Sequence, residues 1–270
     1  MQFPSMRAPP ANNRMDGQPL LLHQAASGDD IFQNLSTLLV KQEFAMKELC
    51  GIEAKNRYRI SAGNSPQPVP FLYAKEQSQC LERVCCSPCR ALTINVHAGS
   101  DDTGEVLLSM EKQAHCPMMP WPILCACHAW PIFVPWLCIA ARDLPTMVVR
   151  KGDEVIGSVI DPPMALFYCN ANARILDAEQ HTIFVCGPVS LCTCGIVCAC
   201  CSDMEVPITA ADSGEHVATI TRKALTFAEC MGNFNRFAVD FGSVQDPTHR
   251  ALILAAGMLF DLQYWDQKEN

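Results

Sequence analysis

The segment that most restricts the possible folds is residues 251–260, ALILAAGMLF, which are apolar on every side. A helix that is hydrophobic all round must be buried, either in protein or in lipid. Asp261 follows these residues at once, whereas a helix that spans a bilayer takes about 20 apolar residues. We therefore expect a core helix over about 248–264 that is enclosed by the rest of the chain, in preference to a transmembrane span.

The chain before this helix consists of short stretches in which apolar and polar residues alternate. Turn-forming residues separate these stretches, for example Gly-Asn-Ser-Pro at 63–66 and Ala-Asp-Ser-Gly at 211–214. The predicted strands are 56–60, 71–75, 92–97, 105–110, 154–160, 182–186, 205–209 and 216–221. Many short strands joined by turns are typical of an antiparallel sandwich or barrel.

The N-terminal part has a different texture. Residues 1–29 combine four prolines with Asn, Gln, Ser and Gly, which predicts a disordered leader. From Ile31 to Leu49, apolar residues recur at helical spacing until Gly51, a common stop signal. We predict an amphipathic helix over 30–49 and one domain over 30–270.

Charge and cysteine content limit the possible function. The net charge of −8 predicts no nucleic-acid partner. The N-terminus lacks a secretory pattern, so the 17 cysteines are expected to be free thiols, acylation sites or metal ligands. The spacing of the cysteine clusters favours buried or acylated thiols over a zinc site. No catalytic motif is present, so we do not expect an enzyme.

Residues 116–141 contain no Asp, Glu, Lys or Arg, yet their five prolines forbid a continuous helix. Trp121, Trp130 and Trp136 lie here together with Phe133. Because tryptophan favours the boundary between water and lipid, these four side chains are predicted to contact a membrane. Core strands are an equally open interpretation of the same residues.

Three cysteines of this region, Cys125, Cys127 and Cys138, are candidate S-acylation sites, because thiols beside apolar surface at a membrane are common targets. One acyl chain gives only marginal binding. Stable anchoring would need two chains, or one chain together with the aromatic surface.

Two motifs stand out, RVCCSPCR at residues 83–90 and FDLQYWD at residues 260–266. They resemble the R-x-C-C-G-P-x-R and I-D-F-x-x-F-E elements of the phospholipid scramblase family. Weaker pieces at 39–42, 56–60, 71–74, 156–159, 187–188 and 198–203 follow in the family's order, so that the resemblance covers about 35–266.

The resemblance implies a mainly β fold, a closed antiparallel tubby-like barrel of about 12 strands around the C-terminal helix. It implies ATP-independent movement of phospholipids in both directions between leaflets, calcium dependence, and palmitoylation in the interval that holds Cys125, Cys127 and Cys138. It further implies a protein at the cytosolic face of a membrane, with the plasma membrane and self-association as expectations. A lipid-binding adaptor that does not transport is the alternative.

The family's acidic segment before the last helix is altered. The corresponding residues are Asn233, Asn235, Asp240 and Asp246, which the resemblance implies as calcium ligands. Calcium takes six to eight oxygen ligands, usually with several carboxylates. Because asparagine keeps the oxygen but lacks the charge, weaker calcium binding is expected.

Overall fold

The computed structural model describes residues 28–33, 35–43, 56–63, 69–78, 91–113, 146–160, 170–190, 202–224 and 235–265. Its elements are a short helix, twelve strands and a C-terminal helix. In order, they are α1 (Gly28–Gln33), β1 (Thr37–Gln42), β2 (Arg57–Ala62), β3 (Pro70–Gln77), β4 (Leu92–Ala98), β5 (Val106–Lys112), β6 (Thr146–Lys151), β7 (Glu154–Ile160), β8 (Asn170–Leu176), β9 (Thr182–Ser190), β10 (Met204–Ala210), β11 (His216–Arg222), β12 (Arg236–Asp240) and α2 (Pro247–Phe260), which continues as a π-helical turn over Asp261–Trp265.

The twelve strands form a closed barrel in which each strand pairs with its neighbours in the chain. Closure is made by the first and last strands, which pair antiparallel from Thr37 opposite Asp240 to Lys41 opposite Arg236. A closed barrel has no unpaired edge that could recruit another chain. The predicted fold class, a closed antiparallel barrel around a hydrophobic C-terminal helix, is confirmed.

The interior of the barrel is filled by α2. Every residue from Arg250 to Phe260 is buried, and the inward side chains of the strands pack around the helix in one apolar core. The packing leaves no space at two glycines. A Cβ on Gly257 would lie 2.7 Å from the Phe237 ring, and one on Gly157 would lie 2.9 Å from the Leu252 side chain.

The ends of α2 are set by its local sequence. Asp246 caps the helix, with its carboxylate accepting a hydrogen bond from the His249 amide at 2.9 Å, and Pro247 occupies the first turn, where its missing donor is not needed. Pro247–Phe260 and the π-helical turn together correspond to the core helix that the sequence predicts over about 248–264.

The predicted helix over 30–49 is wrong for most of the described part. Only Gly28–Gln33 is helical, beginning two residues inside the predicted leader, and Thr37–Gln42 is a strand. Leu38 and Val40 point inward while Lys41 is exposed. Because this strand joins β2 to β12, the barrel could not close without it. Residues 44–49 lie outside the described part.

The alternating strand directions give the barrel two different ends. At the entry end, where α2 begins, lie the connections 63–69, 99–105, 152–153, 177–181, 211–215 and 241–246. At the exit end, where α2 finishes, are the strand ends that the other six connections join. These connections are residues 43–56, 78–91, 113–145, 161–169, 191–203 and 223–235. All the longest connections are therefore made from one end.

Candidate functional site

The exit end collects the segments to which the sequence assigns membrane chemistry. All the cysteines except Cys186 fall in the sequence between strand ends on this side, while Cys186 is buried inside β9. The predicted membrane contacts Trp121, Trp130, Phe133 and Trp136 and the predicted acylation sites Cys125, Cys127 and Cys138 follow β5 and precede β6. These residues lie outside the described part of the chain and stay predictions, as does Asn233.

A belt of buried polar side chains closes the apolar interior at the exit end. Arg222 donates from Nη2 to Asn235 Oδ1 at 3.3 Å, and the Asn235 amide donates to Gln42 Oε1 at 3.1 Å. Gln42 Nε2 donates to Asn56 Oδ1 at 3.1 Å, and the Asn56 amide donates to Glu76 Oε2 at 3.2 Å. These hydrogen bonds offset part of the cost of burying the polar groups.

The sequence reasoning missed this polar belt, although a signal for it is present. Gln42 continues the inward alternation that begins with Leu38 and Val40, so a polar residue stands where the pattern calls for an apolar one. Glu76 interrupts β3 in the same way. A polar residue at an inward strand position indicates a buried hydrogen-bond partner.

Three of the four predicted calcium ligands, Asn235, Asp240 and Asp246, belong to the described part of the chain, and these three are not gathered at one place. Asn235 belongs to the polar belt at the exit end, where its side-chain oxygen accepts from Arg222. Asp240 lies at the other end of β12, about 16 Å away at the rise of a β-strand. Asp246 caps α2 at the entry end. Within the described ranges, no group of three or more His, Cys, Asp or Glu is suited to hold a metal ion.

The end of α2 is fixed to the barrel wall by a buried hydrogen bond. Tyr58 on β2 donates from its hydroxyl to Asp261 Oδ2 at 2.8 Å, and both side chains are buried. Beyond Asp261, the Trp265 ring packs against Phe237 and Phe260, with centroids 5.7 and 6.1 Å apart. Polar anchoring and aromatic packing thus hold the exit end of the helix.

The outer face of the barrel carries a row of cations near the exit end. Lys41 on β1 stands opposite Arg236 on β12 and opposite Arg59 on β2. Lys223, just after β11, extends the line, because its amide donates to the Arg236 carbonyl at 3.0 Å. We call Lys223, Arg236, Lys41 and Arg59 the cationic row. It becomes visible only once the register of four strands is known.

Carboxylates flank this row at its two ends. Glu43 pairs with Arg59, and Asp203 pairs with Lys223 at 2.9 Å. A hydrogen bond from the Ala224 amide at 2.7 Å, together with Lys223, lowers the pKa of Asp203. Tyr73 on β3 is paired with Arg59 on β2. Burial and the nearby Glu43 raise the pKa of Tyr73. The carboxylates therefore lie beside the outermost cations of the row.

Within the described ranges, the longest apolar helix falls short of the length needed to cross a bilayer.

A closed twelve-stranded antiparallel barrel that is filled by its own C-terminal helix is the architecture implied by the resemblance to scramblases. The family model described as Scramblase matches residues 17–267, and the chain belongs to this family.

Similar proteins from mammals agree with this membership. The chain is 25% identical over 272 residues to "Phospholipid scramblase 1" of Rattus norvegicus, an alignment that covers 99% of this chain and 68% of the relative. It is 24% identical to "Phospholipid scramblase 1" of Mus musculus, over 90% of this chain and 65% of the relative. For the Homo sapiens protein of the same name the identity is 24%, over 88% and 66%. The chain spans about two thirds of the length of these relatives.

Proposed function

We propose that this protein moves phospholipids in both directions between the leaflets of a membrane, without ATP, from the cytosolic face of the plasma membrane. The observation that carries the proposal is the family match over residues 17–267, nearly the whole chain. It is supported by relatives whose names describe phospholipid scramblases. The fold agrees with the fold implied by the resemblance.

The filled interior restricts how such transport would work. The α2 residues Leu252, Leu254 and Ala256 are fully buried, and even a methyl group on Gly257 would meet the Phe237 ring. A lipid headgroup that crosses hydrocarbon needs its polar groups satisfied along the way. Since the barrel core offers no room, the headgroup would pass outside the barrel, through local thinning of the bilayer or between self-associated copies.

Membrane attachment is assigned in this proposal to the uncharged residues 116–141. Trp121, Trp130 and Trp136 would place their rings at the headgroup level, and acyl chains on Cys125 and Cys127 would add the second anchor that stable binding requires. The ends of β5 and β6 that flank this segment are both at the exit end. That placement favours an orientation with the exit end toward the membrane.

Stimulation of transport by calcium is a separate part of the proposal. The Asn235 side chain is engaged by Arg222, and Asp240 lies at the opposite end of β12. Any bound ion would therefore draw its oxygen ligands from a different combination of residues. Calcium titration followed by calorimetry tests this part separately, and a flat trace would remove calcium from the proposal while leaving transport open.

The direct test is reconstitution of the purified chain in liposomes that carry a fluorescent phospholipid. Chemical quenching of the outer leaflet should remove about half of the signal without protein and nearly all of it with an active scramblase, since the lipid then exchanges between leaflets. The assay is run with calcium and with a chelator. Quenching that stays at the protein-free level in both conditions would refute lipid transport.

A second candidate is a lipid-binding adaptor, favoured by the absence of space along α2 inside the described barrel. An adaptor would bind vesicles without moving lipid between leaflets. Replacement of Cys125 and Cys127 by Ser, or of Trp121 and Trp130 by Ala, should then release it from membranes. Scrambling by the wild-type chain would exclude this candidate.

A further inference from the structure

We propose that the cationic row, together with Arg57, is a docking surface for the anionic headgroups of phospholipids. The inference deepens the proposed function, on which it rests, by naming the face of the barrel that meets the membrane and the lipid chemistry that it prefers. It is supported by the register, exposure and charge of described residues on β12, β1 and β2 and of Lys223, just after β11.

The geometry brings four cations into line. Lys223, Arg236, Lys41 and Arg59 occupy laterally adjacent positions on successive strands. Neighbouring strands lie about 4.8 Å apart, so the row spans roughly 14 Å. Arg57 is two residues from Arg59 on the same outward face of β2 and is exposed.

Such a row is unfavourable in the folded protein alone. Like charges directly opposite each other across strands destabilise a sheet. Glu43 pairs with Arg59, and Asp203 pairs with Lys223 and also interacts electrostatically with Arg236. Among the described residues, Lys41 and Arg57 have neither a hydrogen-bonded nor an ion-paired side-chain partner, and both are exposed. Exposed cations of this kind are available to bind a group of opposite charge.

The positive charge is local, in a chain whose net charge is −8. The six connections at the entry end contain nine Asp and Glu residues and no Lys or Arg. Near an anionic surface, the acidic connections repel the entry end and the cationic row attracts its own side of the barrel, over about a Debye length, near 8–10 Å in ordinary salt. The charge pattern therefore orients the barrel with the cationic row toward the lipid headgroups.

Phosphate and carboxylate groups of anionic lipids fit this surface better than a single buried ligand would. The cations are spread along the outer wall, and Arg236 is steadied by a hydrogen bond from Nη2 to the Ala224 carbonyl at 2.8 Å. The guanidinium of Arg57 is exposed and can bind phosphate oxygens through parallel hydrogen bonds. An extended row matches a bilayer surface, which presents many headgroups at once.

The test uses the full chain with two kinds of vesicle, one of phosphatidylcholine alone and one of equal parts phosphatidylcholine and phosphatidylserine. The variant Lys41→Gln/Arg57→Gln removes two exposed cations of the surface. The matched control, Arg174→Gln/Lys151→Gln, removes two cations from β8 and β6, on the opposite side of the barrel. Sedimentation with vesicles measures the affinity of each protein.

The wild type should bind the phosphatidylserine vesicles more tightly than the neutral ones, and less tightly as salt is raised. The Lys41→Gln/Arg57→Gln variant should lose roughly 25-fold in affinity for the anionic vesicles, at about fivefold for each charge. The control variant should stay close to the wild type. Because like-charge repulsion is relieved, the thermal midpoint of the Lys41→Gln/Arg57→Gln variant should equal or exceed that of the wild type.

Four outcomes would overturn the docking surface. The first is equal loss in both double variants, and the second is unchanged vesicle binding by Lys41→Gln/Arg57→Gln. The third is that the Lys41→Gln/Arg57→Gln variant no longer binds a fluorescent DNA duplex that the wild type binds, while its vesicle binding stays intact. This result would assign the row to nucleic acid. Free inorganic phosphate is added as a competitor, and complete release by phosphate at constant ionic strength would identify a small-anion site instead.

The same proteins separate this proposal from the proposed function. Lipid transport by all three proteins, with vesicle binding unaffected by the substitutions, removes the docking surface and leaves the scramblase standing. The opposite result is also informative. In that case the wild type binds anionic vesicles through Lys41 and Arg57 but does not transport lipid. This result supports the docking surface and removes the scramblase.

Discussion

The two ends of the barrel differ in nearly every physical respect, although the same twelve strands make both. The entry end has the shorter connections, rich in carboxylates, and it holds α1 against α2. The exit end has the long connections, the buried polar belt and the cationic row. The comparison teaches that one end of this barrel mainly secures the fold, while the other carries the groups suited to recognition.

At the entry end, one side chain of α2 ties the helix to two other parts of the molecule, α1 and the connection 241–246. Arg250 donates to the carbonyls of Val244, Phe32 and Gln33 at 2.7, 2.6 and 2.8 Å. Its guanidinium also lies 5.3 Å from the centroid of the Phe241 ring. Burial lowers the pKa of Arg250, yet arginine remains charged in proteins. The charge also faces the C-terminal carbonyls of α1, which favour a cation.

The largest expected effect is therefore at the entry end. Replacement of Arg250 by Met should lower the free energy of unfolding by about 3–5 kcal/mol, because several buried carbonyls lose a charged donor at once. Urea unfolding monitored by circular dichroism measures the change. Arg174→Met on the exposed face of β8 is the matched control and should change stability by less than about 0.5 kcal/mol. Equal stability of the two variants would contradict the role of Arg250.

A smaller effect is expected where α2 finishes. Tyr58→Phe removes the hydroxyl that donates to the buried carboxylate of Asp261 at 2.8 Å. The loss should be about 1–3 kcal/mol, since a buried acceptor then loses a partner. Tyr73→Phe is the control, because its hydroxyl contacts Glu43 at 3.4 Å in a less buried setting. If Tyr73→Phe cost as much as Tyr58→Phe, the buried hydrogen bond would not anchor the helix.

The smallest effect concerns the carboxylate that flanks the cationic row. Asp203 has a lowered pKa in the folded protein, through the Ala224 amide and Lys223. A depressed folded-state pKa stabilises the fold above the unfolded value, near 3.9, and this contribution is lost as the pH falls through the folded value. Asp203→Asn should thus be less stable than the wild type at neutral pH, by less than about 1 kcal/mol because the site is largely exposed.

The stability difference between Asp203→Asn and the wild type should shrink as the pH falls below about 4 and disappear only below the lowered folded-state pKa of Asp203. Thermal unfolding across a pH series measures it, with Asp153→Asn in an exposed turn as the control. A difference that persists in acid would mean that Asp203 acts through something other than its charge.

The sequence predicts the barrel well where local patterns determine the structure. The eight predicted strands coincide with observed strands, and α2 was recognisable because its residues are apolar on all sides. β1 was missed because Leu35, Leu38 and Leu39 also fit helical spacing, while its strand state depends on pairing with β12, far away in the chain. β8 was missed because Ala171 and Ala173 give a weak apolar alternation.

The candidate site was less predictable, since its parts meet only through the register. Lys41, Arg59 and Arg236 are unremarkable in sequence and become neighbours when β12, β1 and β2 pair. Asn235 was predicted as a calcium ligand because the resemblance gave its position but not its surroundings. Its hydrogen bonds with Arg222 and Gln42 depend on contacts between residues that are distant in sequence.

The order of elements along the chain has a consequence for biosynthesis. α2 follows all twelve strands, and β1 needs β12 as its closing neighbour. During translation, the strands therefore leave the ribosome before the helix that will occupy their interior. Such long-range pairing slows folding and leaves apolar surface exposed meanwhile. A nascent chain of this kind must be protected from aggregation until its last helix has been synthesised.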